Sequence, residues 1–165
     1  MVQMEKEKEG CERKKVMVAI DERKSSYHAL IWVLENLQEL ISTSSSNPNP
    51  NPLVLFATQP FTNHVVSDGS AASELIASIQ ENNKRFALAL LEKAKHICAK
   101  HGVETETITR AGDPRETICE AVDELNIQLL VLGRHSPGVI ERIFHGSFSD
   151  YCVHHAKCPV LVVRK

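Results

Sequence analysis

The sequence lacks a long apolar run and lacks any concentration of positive charge. None of its segments approaches about 18 consecutive apolar residues, the length needed to cross a membrane as a helix. Its first 15 residues are rich in Glu and Lys and have no apolar core of the kind that signal peptides carry. The 19 Lys and Arg are balanced by 21 Asp and Glu and are too dispersed to follow a phosphate backbone. We therefore expect a cytoplasmic protein, with nuclear residence also open, that binds neither membranes nor nucleic acid.

Cysteine is present, but not in an arrangement typical of disulfide scaffolds or zinc sites. The five cysteines are odd in number and include no Cys-x-x-Cys pair, so we expect reduced thiols. Cys152, His155 and Cys158 lie close together in the sequence and suggest a metal site. Because tetrahedral zinc usually draws on two separated pairs of ligands, packing of these side chains is the simpler interpretation, and we predict no metal site.

The usual signatures of nucleotide enzymes and hydrolases are also missing. Gly138 is followed by Val139 and Ile140, where a P-loop needs Lys and Ser or Thr. No Gly-x-Ser-x-Gly elbow is present, so a serine hydrolase is not indicated. We predict no catalytic residues and no dedicated enzyme. At most weak ATP hydrolysis is expected, with His135 beside Ser136 as the candidate base.

What the sequence does contain is a regular alternation of short apolar runs and helical periodicity. The runs predict strands at 15–20, 53–58, 128–132 and 159–163, and the alternating, β-branched segment 103–109 predicts a strand nearer the edge of the sheet. The periodic segments predict helices at 26–41, 72–101, 114–125 and 146–155. Ser25 or Ser26 is the expected N-cap of the first helix, and Asp113 that of the third. This pattern predicts a single α/β domain with a doubly wound, five-stranded parallel sheet covered by helices on both faces. Residues 1–14 are expected to be a flexible polar N-terminus, the domain to span 15–165, and the Pro-rich segment 42–52 to be a disordered loop within it.

The loop after the fourth strand carries the most specific motif. Ligands of open α/β sheets bind beyond the carboxyl ends of the strands, and this loop reads Gly133-x2-Ser136-x9-Gly146-Ser147. Glycines let backbone N–H groups approach phosphate oxygens, and the helix that starts near Gly146 offers unpaired N–H groups and a positive dipole end. Ser147 and Asp150 also fit a capping pattern that needs no ligand, so both interpretations are open at this stage.

The segment that follows this loop extends the pattern. Ser147-Phe-Ser-Asp-Tyr-Cys-Val-His-His-Ala-Lys-Cys-Pro-Val-Leu-Val-Val163, together with Val18-Ala-Ile-Asp21-Glu22 and Gly112-Asp-Pro-Arg-Glu116, resembles the plant universal stress proteins. That family has Gly-x2-Gly-x9-Gly-Ser/Thr at this position, and the resemblance covers residues 15–165. It implies a Rossmann-like sheet of order 3-2-1-4-5 and a stress-response protein regulated by ATP or AMP, with Mg²⁺ as an optional companion of the nucleotide. It also implies a homodimer formed through the last strand, Val160 to Val163.

The resemblance further implies a set of binding residues. Asp21 would face the ribose or adenine, the Thr58 backbone would edge the adenine, and Leu132 and Gly133 would line the base and ribose. The phosphates would be held chiefly by main-chain groups of Ser136, Gly146, Ser147 and Phe148. Arg134 is a further candidate, because its charge would favour a triphosphate. For Asp21, capping of a helix or turn is the alternative.

One position departs from the family pattern. Ser136 stands where the second glycine belongs, and Pro137 restricts its backbone to extended geometry. Gly138 could restore the bend. If it does not, the alternative is a chaperone-like interaction module of the same fold that binds no nucleotide, and a slow ATPase is the third possibility.

Overall fold

The computed structural model describes residues 14–42, 52–60, 70–134 and 148–164. Along the chain its elements are β1 (Val16–Ala19), α1 (Lys24–Asn36), α2 (Gln38–Ile41), β2 (Leu53–Pro60), α3 (Ser70–Lys100), β3 (Thr105–Gly112), α4 (Pro114–Glu124), β4 (Leu129–Gly133), α5 (Phe148–His155) and β5 (Val160–Val163). Within these ranges no helix is long and apolar enough to cross a membrane. Residues 1–13 of the predicted flexible N-terminus and residues 43–51 of the predicted loop at 42–52 lie outside the described residues.

The five strands form one parallel sheet of order β3-β2-β1-β4-β5, which confirms the expected fold and strand order. Val18 of β1 pairs with Leu55 of β2 on one side and with Val131 of β4 on the other. The chain therefore winds outward from β1 in one direction, then returns and winds outward from β4 in the other. The boundary between β1 and β4 is the switch point of the sheet.

Each face of the sheet is covered by its own pair of long helices. Side chains alternate along a strand, so Val16 and Val18 pack toward α1 and α3, whereas Met17 packs toward α4 and α5. The strand and helix residues of the first core include Val16, Val18, Leu30, Val33, Leu55, Leu91 and Cys98, and those of the second include Met17, Val54, Phe56, Ile118, Leu130, Leu132 and Cys152. Burial on both faces explains why β1, β2 and β4 appear in the sequence as apolar runs, whereas the edge strand β3, whose residues are mostly half-buried, does not.

β2 is longer than its sequence indicates. The strand was expected over 53–58, but it continues through Gln59 and Pro60, and Pro60 pairs with Gly112 of β3. The Phe56 carbonyl accepts a hydrogen bond from the Ile20 N–H, so the backbone polar groups of Phe56 face β1. The direction of these groups alternates along a strand, so those of Pro60 face the same side, at a level where β1 has already ended. A proline there removes no ladder hydrogen bond, and the prediction was wrong for that reason.

The start of α1 also differs from the prediction. The N-cap is Arg23 and not Ser25 or Ser26, and no side chain caps it. The Ser26 hydroxyl lies inside the first turn, 3.0 Å from the Arg23 carbonyl and 3.1 Å from the Asp21 carbonyl, and accepts from the Asp21 N–H. The predicted stripe through Ile41 is divided by Leu37, whose φ of −116° ends α1 before the short helix α2.

The N-terminus of α4 confirms its prediction. The Asp113 carboxylate accepts from the Arg115 N–H at 2.9 Å and from the Glu116 N–H at 3.4 Å, and Pro114 occupies the first helical position. Gly112, with φ of +148°, makes the turn from β3 into this helix.

Candidate functional site

The candidate site lies at the carboxyl edge of the sheet, where β1 and β4 are neighbours. From this edge β1 leads to α1 on one face, and β4 precedes α5 on the other. A crevice beyond the strand ends at such a switch point is the usual ligand site of doubly wound sheets. Three of the predicted site residues, Ser136, Gly146 and Ser147, lie outside the described residues, as does the rest of the loop at 135–147.

Asp21 follows β1 and is held in a defined position at this edge. Its Oδ1 accepts from the Arg23 N–H at 2.9 Å, and its own N–H donates to the Ser26 hydroxyl at 3.2 Å. Within the described part of the chain its second oxygen, Oδ2, has no hydrogen-bond partner. The predicted alternative is therefore correct in part, because the carboxylate caps a turn, yet one oxygen is left to accept from a ligand.

The negative charge of Asp21 is also felt by the neighbouring aromatic side chain. Burial, and then the charge of Asp21, raises the pKa of Tyr27. The Tyr27 hydroxyl donates to the Leu90 carbonyl at 3.3 Å, and the Lys93 ammonium lies 4.4 Å from its ring centroid. Tyr27 thus joins the first turn of α1 to α3.

Thr58 ends the buried part of β2 and lies on the same face of the sheet as Phe56. Its hydroxyl is 3.4 Å from that of Thr117, which itself donates to the Asp113 carbonyl at 2.8 Å. Because Thr117 uses its hydrogen for Asp113, the Thr58 hydroxyl is the donor between the two. The Thr58 side chain is thus committed to α4, and the predicted contact of its main chain with a ligand stays a prediction.

Leu132 and Gly133 bring β4 to the site, but both have strong packing roles. The Leu132 side chain is 2% exposed and belongs to the second core. A Cβ atom added to Gly133 would lie 2.7 Å from the Ser26 nitrogen and closer still to the Ser25 carbonyl group. Gly133 is therefore required by the close approach of α1, whatever else it contacts.

Arg134 and Phe148 flank the loop that the structure does not describe. The Arg134 N–H donates to the Val163 carbonyl at 2.8 Å, so its backbone extends the β4–β5 pairing while its side chain is exposed. Phe148 is the first residue of α5, and its half-buried ring packs on the second core. The two residues place positive charge and a helix N-terminus on the same side of the sheet edge.

Sequence reasoning missed the residues that hold this edge together. Ser25 and Ser26 contact Gly133, and Thr117 binds Thr58, but these contacts join segments about 60 or more residues apart. Of these three residues only Thr117 could have been found from the sequence, because it lies four residues, about one helical turn, after the predicted cap Asp113. The roles of the serines depend on how closely α1 approaches β4, which no local pattern encodes.

The chemistry of the described residues suits a nucleotide better than a metal ion. Asp21 offers a carboxylate oxygen, and the start of α5 and Arg134 favour anions. No group of three His, Cys, Asp or Glu side chains among the described residues is positioned to hold a metal. In the Cys152–Cys158 segment the His155 ring stacks on Tyr151, with 3.9 Å between centroids, and its Nδ1 lies 2.8 Å from the Tyr151 carbonyl oxygen.

Comparison with known proteins gives consistent matches along the chain. The model of the universal stress protein family matches residues 12–164. A curated universal stress protein A-like protein of Arabidopsis thaliana is 29% identical over 168 aligned residues, which cover 94% of this chain and 93% of the relative. A crystal structure of a universal stress protein family protein from Arabidopsis thaliana with AMP bound is 26% identical, with a TM-score of 0.60 and 92% of each chain covered. UspA from Lactobacillus plantarum has a TM-score of 0.72 at 19% identity, covering 92% of this chain and 98% of that one, and supports the fold alone.

Proposed function

Because the chain belongs to the universal stress protein family, we propose that it binds an adenine nucleotide, ATP or AMP, at the carboxyl edge between β1 and β4. The observation that carries the proposal is Asp21, whose Oδ1 is fixed by the Arg23 N–H at the switch point, while its Oδ2 accepts no hydrogen bond from the described residues. The AMP-bound relative from Arabidopsis thaliana supports the choice of ligand.

The described residues suggest how the nucleotide is held. Asp21 accepts from a ribose hydroxyl or from the adenine amine, and the Thr58 main chain edges the base. The main chain of Leu132 and Gly133 lines the base and ribose, because the Leu132 side chain itself is buried in the second core. The phosphates lie toward the start of α5, with Ser136, Gly146, Ser147 and Phe148 contributing main-chain groups and Arg134 its charge. Mg²⁺, when present, is carried by the phosphates of ATP.

We propose a regulatory role for this binding and no dedicated catalysis. A ligand that binds only the folded state stabilises it by mass action, so nucleotide concentration would set the stability or assembly of the protein. A slow ATPase is the alternative. It predicts linear phosphate release that His135→Ala reduces, and release indistinguishable from buffer would eliminate it.

The edge strand β5 supports a homodimer. Within the described residues β5 pairs with β4 on one side only, and three of its four residues are half-buried. The Leu130 N–H donates to the Pro159 carbonyl and the Arg134 N–H donates to the Val163 carbonyl, so the backbone polar groups of Pro159 and Val163 face β4. Because the direction of these groups alternates along a strand, the N–H of Val162 points away from β4. Val162→Pro removes this outward donor and should reduce the mass in light scattering from twice 18.4 kDa to 18.4 kDa. Val162→Thr is the control and should remain dimeric; a monomeric wild-type protein would refute the proposal.

We further propose that the protein resides in the cytoplasm, with some of it in the nucleus. Among the described residues Cys98, Cys119, Cys152 and Cys158 are free thiols, as is usual in reducing compartments. A fluorescent fusion of the full chain should distribute between the two compartments, and secretion of the fusion would contradict this.

Thermal unfolding with and without nucleotide tests the proposed function. At a ligand concentration of about 100 times the Kd the free energy of unfolding rises by about 2.7 kcal/mol, which corresponds to an increase in Tm of about 5–10 °C. Asp21→Asn keeps the Oδ1 that caps the turn but loses the negative charge, so it should diminish the shift. Glu22→Gln makes the same charge change at the exposed neighbouring residue and should leave the shift intact. An unchanged wild-type Tm with AMP, ATP and MgATP would overturn the proposal.

A chaperone-like interaction module is the second candidate. Leu75 and Phe86 of α3 are 62% and 54% exposed, and eleven residues, about three helical turns, place them on one side of the helix. This candidate predicts suppressed aggregation of an unfolded client protein, lost in Phe86→Ser, together with no response of Tm to nucleotide.

A further inference from the structure

A cleft at the amino edge of the sheet lies apart from the proposed nucleotide site. It is found where α4 and α5 end and β4 and β5 begin, and its volume is about 310 Å³, within the range of small-ligand pockets. Asp123, Asn126, Gln128 and Lys157 are the polar residues that line this amino-edge cleft. Because β4 has five residues, at about 3.3 Å each, the cleft is about 16 Å from the carboxyl edge of the sheet.

An ion pair on the wall of the amino-edge cleft offers one charge of each sign. The Lys157 ammonium nitrogen lies 2.6 Å from Oδ2 of Asp123, and the two side chains are 71% and 54% exposed. Within the described residues neither side chain has a further hydrogen bond or ion pair. Since an ammonium group has three donors and a carboxylate two acceptor oxygens, Lys157 retains two N–H donors and Asp123 retains Oδ1.

Two carboxamide groups extend the same polar wall. Gln128 Oε1 accepts from the Lys15 N–H at 2.5 Å, and its NH2 group has no partner among the described residues. Asn126 follows α4 with φ of +50°, and the next N–H, that of Ile127, donates to the Val122 carbonyl at 3.0 Å. This is the Schellman helix end, in which glycine usually occupies the position of Asn126. The helix end therefore does not need the Asn126 side chain, whose amide has no hydrogen-bond partner in the part of the chain that the structure describes.

We propose that the amino-edge cleft binds a free α-amino acid in its zwitterionic form. A ligand with a carboxylate alone would be repelled by Asp123, and a ligand with an ammonium group alone would be repelled by Lys157. An α-amino acid carries both charges on one carbon and matches the pair. Its carboxylate accepts from Lys157 and from the amides of Gln128 and Asn126, and its ammonium group donates to Asp123 Oδ1. The C-terminal end of α4 carries negative partial charge and favours the ammonium group.

NMR titration of the isotope-labelled full-length chain with L-leucine tests the proposal. L-leucine is the probe because Ile127 and Pro159 add apolar surface to the lining. We expect saturable shifts of the backbone amide signals of Asn126 and Gln128 at millimolar ligand, and none at Asp21. L-leucinamide keeps only the ammonium group and isocaproate keeps only the carboxylate. Each should bind about fivefold more weakly than L-leucine, because each loses one exposed charged contact.

Variants of the lining separate binding from folding. Asn126→Gly suits the positive φ, so it should weaken L-leucine binding about fivefold without lowering the free energy of unfolding. Asp123→Asn and Lys157→Gln keep the shape or length of the side chain but remove one charge, and both should weaken binding. Glu120→Gln makes the same charge change at an exposed residue one turn earlier on α4 and should leave binding unchanged.

Three results would overturn the proposal. They are the absence of amide shifts in the amino-edge cleft at millimolar L-leucine, binding of L-leucinamide or isocaproate as tight as that of L-leucine, and equal affinities of Asp123→Asn and Glu120→Gln. The comparison of the three ligands uses the wild-type chain, so it decides the matter even if a variant does not fold. The outcome is independent of whether the chain binds AMP.

Discussion

Gly133 offers a sharp test of how the candidate site is built, because its neighbours are backbone atoms. A methyl group added there would lie 2.7 Å from the Ser26 nitrogen and closer still to the Ser25 carbonyl group. No rotamer change can relieve such a contact. Gly133→Ala therefore requires α1 to move away from the end of β4, which also displaces the loop that positions Asp21.

The expected loss can be estimated from the energetics of overpacking. Forcing one extra carbon into a packed site typically destabilises a protein by about 1–3 kcal/mol, and backbone neighbours place this substitution at the upper end. A loss of about 3 kcal/mol should lower the Tm by about 6–12 °C for a domain of this size. Unlike Gly102, Gly133 does not have a positive φ, so the loss arises from the contact and not from backbone strain.

Urea and thermal unfolding followed by circular dichroism measure the effect. Gly102→Ala is the matched control, because its φ is +71° and no atom lies within 4 Å of the added Cβ. Left-handed strain alone should destabilise that variant by about 1 kcal/mol, or about 2–4 °C. If Gly133→Ala is no less stable than Gly102→Ala, the close approach of α1 to β4 is refuted.

Three further predictions concern the described elements. Asp113→Ala should lower the free energy of unfolding by about 1 kcal/mol through loss of the α4 cap, and the same change at exposed Glu120 should have little effect; equal losses in a urea titration would contradict the cap. Thr117→Val keeps the shape of the side chain but removes the partner of the Thr58 hydroxyl, so a loss of about 1–2 kcal/mol is expected, and a neutral result would contradict that hydrogen bond. Burial raises the pKa of Cys98 and of Cys152 to about 12 from 9.0, so the folded state holds these protons more tightly than the unfolded state. Stability is then complete below pH 9 and declines toward pH 12, by about 1.4 kcal/mol per thiol at pH 10, and Cys98→Ala should show a shallower decline in alkaline urea titrations.

The fold class and most strands could be predicted because a strand buried on both faces consists of consecutive apolar residues. Residues 53–57 and 129–132 are continuous apolar runs, and the strands β2 and β4 include these positions. Asp113 was predictable for a similar reason, since a cap followed by Pro114 is a local signal. The strand order 3-2-1-4-5 came from the family resemblance.

What could not be predicted depends on contacts between distant segments. The continuation of β2 through Pro60 depends on where β1 ends, and the role of Ser26 depends on carbonyl groups that only the folded turn brings together. At the candidate site, Asp21 was expected to bind a ligand or to cap a turn; one of its oxygens caps the turn, and the other has no partner in the part of the chain that the structure describes. Gly133 was expected to line a ligand, yet its contact with Ser25 already requires a glycine.

The most direct test of the central claim is equilibrium dialysis of the full-length wild-type chain against AMP at concentrations up to the millimolar range, with GMP as competitor. The account predicts saturation at one AMP per chain, no displacement by equal GMP, and weaker binding by Asp21→Asn than by Glu22→Gln. Absence of bound AMP at millimolar concentration, or binding that Asp21→Asn leaves unchanged, would contradict an adenine nucleotide site at the β1–β4 edge.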